Sequence, residues 1–479
     1  MAGGRLTDWV SLGVLTASVP RDVVDEAVAV AGRQARRAGG KLPPHVMVYF
    51  AMAMALFADD DYEEIAVRLA ETLSGWGCWD AQWSPPTSGG IAQAHARLGF
   101  EPVRALFERV AVPVAGELTR GAWLGDRRLM AIDGFEWDAP DTPGNVEVFG
   151  YGGSAEHATP FPKVRVVTIS ECASHAVVAA AMAGTSIGEQ VLARALWPGV
   201  EPGWLLLADR NFFNWADWHA AAAGGAQLLW RVKSSHRLPV LEGLPDGSYR
   251  SVLVNPAVHN QQTRARIIAA AHRGDVLDPG RATPVRVVEY TVPDRDGTET
   301  IRLITTLDDP AAAPAPLLAA TYHQRWEHET GNAQLKTHLR GPGRVLRSHH
   351  PDMVRQEIYG YLLTHYALSA LICRAATEAD IDPDRVKFLR TVRIVRRRIT
   401  DPAAFSPEQT HRVRATVMAD ITARRNLNPP RRHRTYPRVV KRTRHNQYHA
   451  KRDNDIGTHH TKPPTIALTI QHHNKINLS

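Results

Sequence analysis

Between Arg127 and Val232 the chain alternates apolar runs of strand length with stretches of helical pattern, and two of those runs stop at an aspartate. Arg128-Leu129-Met130-Ala131-Ile132 ends at Asp133-Gly134. Lys163 to Glu171 is rich in β-branched residues, and His175 to Met182 follows across a short turn, as a hairpin partner does. Gly188 to Leu196 suits a helix. Gly203-Trp204-Leu205-Leu206-Leu207-Ala208 reads as a buried strand ending at Asp209-Arg210-Asn211-Phe212, Trp215 to Ala223 as a helix, and Gln227 to Val232 as a further strand. Strands and helices in this order belong to an α/β fold.

That order of strands and helices fits an RNase H-like α/β core. From Ser234 to Leu307, the turn signals Pro245-Asp246-Gly247 and Asp294-Arg295-Asp296-Gly297 accompany strand-like runs at Val285 to Tyr290 and Ile301 to Thr306. They predict a β-rich insertion over about residues 234–307. Helical pattern flanks the core. Pro20-Arg21-Asp22 and Asp61-Tyr62-Glu63-Glu64 read as helix starts, Val46 to Phe57 as a buried apolar helix, and Pro85 to Gly90 as a break. Val354 to Ala376 predicts a long apolar helix, and beyond it Lys387, Arg390, Arg393 and Arg396 recur every three residues, placing cations along one side of a helix. The predicted regions are a helical N-terminal domain (1–120) open to DNA contact or to packing on the core, an α/β domain (121–345), a helical region (346–423) and a basic tail (424–479) without a packed core.

Composition agrees with several domains, because 479 residues exceed one ordinary core. No run approaches 18 uninterrupted apolar residues, so no membrane span is expected, and the first residues lead into no export signal. Cys78, Cys172 and Cys373 stand far apart, which fits a reducing compartment such as the cytoplasm and argues against a Cys-based zinc motif. The net charge of +8 has one source: Arg424 to Arg452 holds eleven Lys or Arg and no acid, while the residues before it are slightly acidic. Such a segment meets a polyanion, or only keeps the chain soluble.

The second marked pattern is Tyr322-x2-Arg325-x3-Glu329-x6-Lys336. At 3.6 residues per turn Tyr322, Arg325, Glu329, Asn332 and Lys336 share one helix stripe. The stripe offers a carboxylate for a metal, two cations for phosphates and a phenol; taken alone it also describes a solvated face of ion pairs. Phosphodiester chemistry needs several carboxylates brought together, and Asp133 and Asp209, each expected at a strand end, are the candidates to join Glu329.

The stripe resembles the Y-x2-R-x3-E-x6-K signature of the insertion-sequence-4 family of bacterial cut-and-paste transposases, with Trp326 directly after the arginine. His328 departs from it, since the family usually has an apolar residue there, and Gly331-Asn332 weakens the helix. Asp133-Gly134-x3-Asp138-x2-Asp141-Thr142-x2-Asn145 resembles the family's first-aspartate segment, Asp209-Arg210-x-Phe212 its second, and the stretch from Leu6-Thr7-Asp8 its N-terminal domain. The resemblance implies Asp133, Asp209 and Glu329 as a catalytic, metal-binding DDE triad. Asp138 and Asp141 compete for the first position but are expected in a loop beyond the strand. It implies phosphate positioning by Tyr322, Arg325 and Lys336, with Arg210 a further candidate. Trp326 stacks on an unpaired base or only packs. It further implies two Mg²⁺ or Mn²⁺ ions, double-stranded DNA (transposon ends and target) as partner, and a homodimer on DNA. The expected activity is binding of terminal inverted repeats, cleavage and strand transfer; a silent DNA-binding descendant and an RNase H-like nuclease without joining are the alternatives.

Overall fold

The computed structural model describes residues 12–35, 42–74, 86–153, 157–294, 297–399, 407–429 and 469–470. A short β1 (Trp123–Leu124) leads into β2 (Arg127–Asp138), which forms an antiparallel meander with β3 (Lys163–Glu171) and β4 (Val177–Gly184). On its other side β2 pairs in parallel with β5 (Trp204–Ala208), and β5 with β6 (Gln227–Arg231). The order β4-β3-β2-β5-β6 is the predicted RNase H-like arrangement.

The β-rich insertion extends this sheet instead of forming a separate one. It contributes β7 (Glu242–Gly243), β8 (Tyr249–Val254), β9 (Ala282–Asp294) and β10 (Gly297–Thr305), and β10 pairs directly with β6. Arg286 ties the insertion down. It is fully buried, ion-paired with Asp246, and donates to the carbonyls of Leu307 at 3.2 Å and Ala313 at 2.7 Å. A buried guanidinium satisfied this way fixes the loop that leads towards the next helix.

β2 runs longer than predicted. Its pairing with β5 stops at Ile132, but pairing with β3 continues to Asp138 opposite Lys163. Phe135 and Trp137 point into the core while Glu136 and Asp138 point out, a period-two pattern that the outward acids conceal in a sequence reading. Asp138, expected in a loop, therefore closes the strand, where Lys163 Nζ binds its carboxylate at 2.6 Å.

On one face of the sheet lie α7 (Glu189–Arg194) and α8 (Trp215–Ala223), packed on Met130, Ile132, Leu206 and Leu228. On the other lies α10 (Ala315–Tyr322), over Leu129, Ala131, Leu205 and Leu207. The helices α1 (Arg21–Val30), α2 (Pro44–Leu56), α3 (Tyr62–Ser74), α4 (Ser88–Leu98) and α5 (Glu101–Val110) share one core with α12 (Pro351–Glu378), α13 (Phe388–Arg398) and α14 (Pro407–Thr422). Predicted as two regions, the helical ends of the chain thus pack as one. α2 is apolar all round and is buried from His45 to Leu56. Gly360 of α12 lets the helices cross closely, since a Cβ there would clash with the Ala51 carbonyl, and Thr364 Oγ1 donates to Met52 O at 2.9 Å.

The expected cation stripe on α13 is different in the structure. Steps of three residues drift by about 60° on a helix turning about 100° per residue, so position 396 lies opposite position 387. Arg396 turns inward, donating to Leu56 O at 2.5 Å, while Arg390, Arg393 and Arg397 form the outer face. Residues 424 to 429, expected with the tail, are joined to the segment before α13: Lys387 N–H donates to Asn426 O at 2.9 Å and Asn428 N–H to Arg385 O at 2.6 Å. Thr469–Ile470 adds β11 beside β9. The rest of the basic tail, Leu6-Thr7-Asp8, Cys78 and the centre of the Asp294–Gly297 turn lie outside the described residues. Among those described, no helix is long and apolar enough to cross a membrane.

Candidate active site

The first two carboxylates meet through sheet register. Ile132 of β2 pairs with Ala208 of β5, and each aspartate is the next residue. Alternation then sets their face: Asp133 continues the Leu129 and Ala131 side, and Asp209 the Leu205 and Leu207 side, the face that α10 covers. Asp133 lies inside β2, not at its end, but it stands where the parallel pairing stops and the sheet opens. After Asp209 the backbone turns tightly, Phe212 N–H donating to Asp209 O at 3.0 Å, with Phe212 buried as the anchor.

The third carboxylate comes from α11 (Arg325–Ala333), which follows α10 after a break at His323 and Gln324. Arg325 sits between the carboxylates. Its Nη2 donates to Glu329 Oε1 at 3.0 Å across one helical turn, and its Nη1 approaches Asp133 Oδ2 at 3.4 Å. Burial opposes the Arg325 charge, but Tyr322, Asp133, Glu329 and Asp209 outweigh it and hold its pKa above the usual value. Burial pushes the Asp133 carboxyl up to about 6; the Gly134 N–H and Arg325 resist the rise, while Glu329 and Glu189 add to it.

Tyr322 is buried, its pKa raised by that burial, and its hydroxyl reaches the Ala208 carbonyl at 3.5 Å. It therefore faces the backbone beside Asp209 instead of an exposed phosphate, and the Arg325 guanidinium lies 5.9 Å from its ring centroid. Trp326 flanks the same guanidinium at 5.9 Å and is 42% exposed, with its indole available at the surface. Arg210 is exposed next to Asp209.

Lys336 does not continue the α-helical stripe. α11 passes into a π-helical turn, Gln334–Leu339, which alters the register. The pKa of Lys336 is lowered by burial and by Arg340 and Lys163, with Glu136 and Asp138 opposing, which puts it alongside the far end of β2. Asp141 accepts from the Tyr151 hydroxyl at 2.7 Å, and Asp138 points to the opposite face from Asp133.

His328, the departure from the signature, is a core residue. Its Nε2 is 3.1 Å from Thr168 Oγ1, and burial drives its pKa down to about 3. Beside it runs a buried chain that a sequence reading gives no reason to expect: His175 Nε2 is 2.9 Å from Glu327 Oε2, Gln334 Nε2 2.9 Å from His175 Nδ1, and His365 Nε2 3.0 Å from Gln334 Oε1. Gly331 admits this packing, since a Cβ there would already touch His175 at 3.4 Å. Glu189 is a further site neighbour without a sequence signal. It closes over Gly134, where a Cβ would come within 2.6 Å of its Oε1, and it stands 56 residues from Asp133 in a stretch with no motif of its own.

Asp133, Asp209 and Glu329 supply hard oxygen donors of the kind Mg²⁺ and Mn²⁺ take, gathered about one guanidinium, so the residues present fit such ions. Among the described residues no three His, Cys, Asp or Glu side chains converge closely enough to hold an ion at one point; Arg325 spans two of the carboxylates instead.

Comparison with known proteins identifies the family. Residues 9–108 match the family described as insertion element 4 transposase N-terminal, and residues 124–366, more than half of the chain, match the transposase DDE domain. The transposase InsG for insertion sequence element IS4 of Escherichia coli (strain K12) is 26% identical over 414 residues, covering 84% of this chain and 86% of the relative. A piggyBac transposase synaptic complex with hairpin DNA aligns with a TM-score of 0.43 and 11% identity, covering 85% of this chain and 84% of that one. DDE transposases act on DNA and generally use divalent metal ions. The chain belongs to the insertion-element-4 family of DDE transposases, whose general activity is DNA cleavage and strand transfer.

Proposed function

We propose that this transposase binds the terminal inverted repeats of its own insertion sequence and cuts at the element ends. It then joins the freed 3′-OH to target DNA, with Asp133, Asp209 and Glu329 as the catalytic carboxylates. The observation that carries the reading is that two adjacent strands bring Asp133 and Asp209 side by side on one face, with Arg325 held between Asp133 and Glu329 of the helix. Separated by 76 and 120 residues along the chain, these carboxylates share one face of the sheet.

In each step an oxygen nucleophile forms a bond to phosphorus as a P–O bond of the backbone breaks. Asp133, Asp209 and Glu329 would hold two Mg²⁺ or Mn²⁺ ions, which when bound supply an activated nucleophile and neutralise phosphate charge. Arg325 keeps the two carboxylates it touches at a fixed separation and orientation. Tyr322 supports Arg325 through its ring, the exposed Arg210 would meet a phosphate beside Asp209, Lys336 would meet one further along β2, and Trp326 offers an exposed ring on which an unpaired base would stack. Two ends processed together call for a homodimer on DNA.

The test uses the full chain with duplex DNA carrying the repeats that bracket its gene, in Mg²⁺ or Mn²⁺. Wild type should yield cut ends and joined products, while Asp133→Ala, Asp209→Ala and Glu329→Ala should bind DNA without cutting it. Full cleavage by any of these variants removes that residue from the triad. Cleavage with no joined product establishes a nuclease instead.

A further inference from the structure

The outer face of α13 carries three arginines that the active site does not use. Arg390, Arg393 and Arg397 are exposed, while Thr391, Val392, Ile394 and Val395 are buried. At about 100° per residue the three arginines fall within an arc of about 60°. They line a cleft of about 140 Å³ that Arg425 and Asp420 close from the other side.

Among the described residues the cleft's charge is uncompensated. Asp420 is its one acid and already faces Arg425 at 3.7 Å; among the described residues no carboxylate pairs with Arg390, Arg393 or Arg397. Arg393 and Arg397 stand at i and i+4, where like charges repel, so the face gains from an anion. The next stretch of the chain, Arg431 to Arg452, adds Lys and Arg and no acid. A planar guanidinium matches phosphate oxygens better than any other side chain does.

The face is rigidly connected to the catalytic helix. Phe388, the first residue of α13, stacks on His338 at 6.4 Å between centroids and lies 5.4 Å from His365. His338 belongs to the same π-helical turn as Lys336. We infer that the cleft of Arg390, Arg393, Arg397 and Arg425 is a second DNA contact, gripping backbone phosphates of the duplex whose end lies in the active site. This rests on the transposase reading above. The contact is sequence-independent, since guanidinium groups on phosphates read no base.

Binding of the full chain to end-bearing and unrelated duplexes, measured by fluorescence anisotropy over a salt series without divalent ions, tests it. For Arg390→Ala/Arg393→Ala/Arg397→Ala the slope of log affinity against log salt should flatten by about 0.9 for each phosphate no longer neutralised, equally on both duplexes. The substitutions lie on the exposed face, and unchanged thermal unfolding checks that the fold is kept. Asp420→Asn, which removes the cleft's acid, should tighten binding to both. A slope equal to wild type in the triple variant overturns the inference, as does a change confined to sedimentation behaviour, which would make the face a contact between copies of this chain. If wild type itself shows no salt-dependent DNA binding, the transposase reading fails as well, so the two failures are distinguishable.

Discussion

Arg325 on α11 approaches Asp133 on β2 with Nη1 to Oδ2 at 3.4 Å, joining a helix to a strand 192 residues earlier. Its other terminal nitrogen bonds Glu329, so one buried guanidinium sets the spacing of two carboxylates that would otherwise repel. Lys336 has no such place, standing near Glu136 and Asp138. The two cations of the signature therefore stand in different surroundings. Arg325→Ala should lower single-turnover cleavage at saturating DNA by ~10²–10³-fold, the usual loss when one preorganised charge is removed, and should also destabilise the fold by a few kcal/mol. Lys336→Ala should slow cleavage with about 1 kcal/mol of stability lost at most. Cleavage measured beside thermal unfolding separates them, and near-wild-type turnover in both would remove the positioning role.

Asp133 makes a prediction with a defined pH window. Its carboxyl titrates at about 6 in the folded chain because of burial, against about 4 in an unfolded one. Between those values the native state holds a proton that the unfolded state has released, so this group's contribution to stability falls as pH rises through the window. Asp133→Asn should then be more stable than wild type at pH 7, on the order of 2 kcal/mol, with the difference vanishing below about pH 4. Urea unfolding of both proteins at pH 4 and pH 7 checks this. An equal gain at the two pH values would mean that the charge of Asp133 is not what burial penalises.

Much of this site was legible in the chain because its parts are local. The run before Asp209 is buried on every residue, and so declares a central strand without ambiguity. The four-residue signature singles out Glu329 through its resemblance to the family's spacing. What stayed hidden depends on long-range packing. The extension of β2 past Asp133 is stabilised by β3 and by Tyr361 of α12, whose ring centroid lies 5.3 Å from that of Trp137, and no local pattern announces that partner. The π-helical turn that holds Lys336 has no local signal in the chain, while Gly331, read as a weak point of the helix, lies against His175. The three-residue period on α13 misled for a simpler reason: three is not 3.6, and over nine residues the error amounts to half a turn.

Two buried histidines, His328 on α11 and His365 on α12, make the fold sensitive to acid. Burial lowers the pKa of His328 and of His365 to about 3, against about 6.5 unfolded. Below the unfolded value the denatured chain takes up protons that the native core refuses, so stability falls as pH drops from about 6.5 towards 3. At pH 5 each histidine accounts for about 2 kcal/mol of that loss. His328→Leu should lose part of its stability at pH 8, because Thr168 loses its partner, but should flatten the decline between pH 7 and pH 5. The same steep decline in the variant as in wild type would place the acid sensitivity elsewhere.

Where the basic tail begins is the last point the structure sharpens. Truncation after Ala423 would remove the backbone partners that Lys387 and Arg385 find at Asn426 and Asn428, and with them Arg425 of the cleft on α13. Truncation after Pro429 spares these contacts and still removes Arg431, Arg432, Arg434, Arg438, Lys441, Arg442, Arg444, Lys451 and Arg452. The shorter chain should unfold at the temperature of the full one, apart from what β11 adds at the edge of β9, yet bind DNA more weakly at low salt. Its salt slope should be flatter by about 0.9 for each phosphate the tail neutralises. Cutting after Ala423 should instead lower the unfolding temperature, because the segment before α13 loses the strand-like partner that Val386 has in Leu427. An unchanged salt slope after Pro429 truncation would reduce the tail to a solubilising appendage and leave DNA affinity to the folded part of the chain.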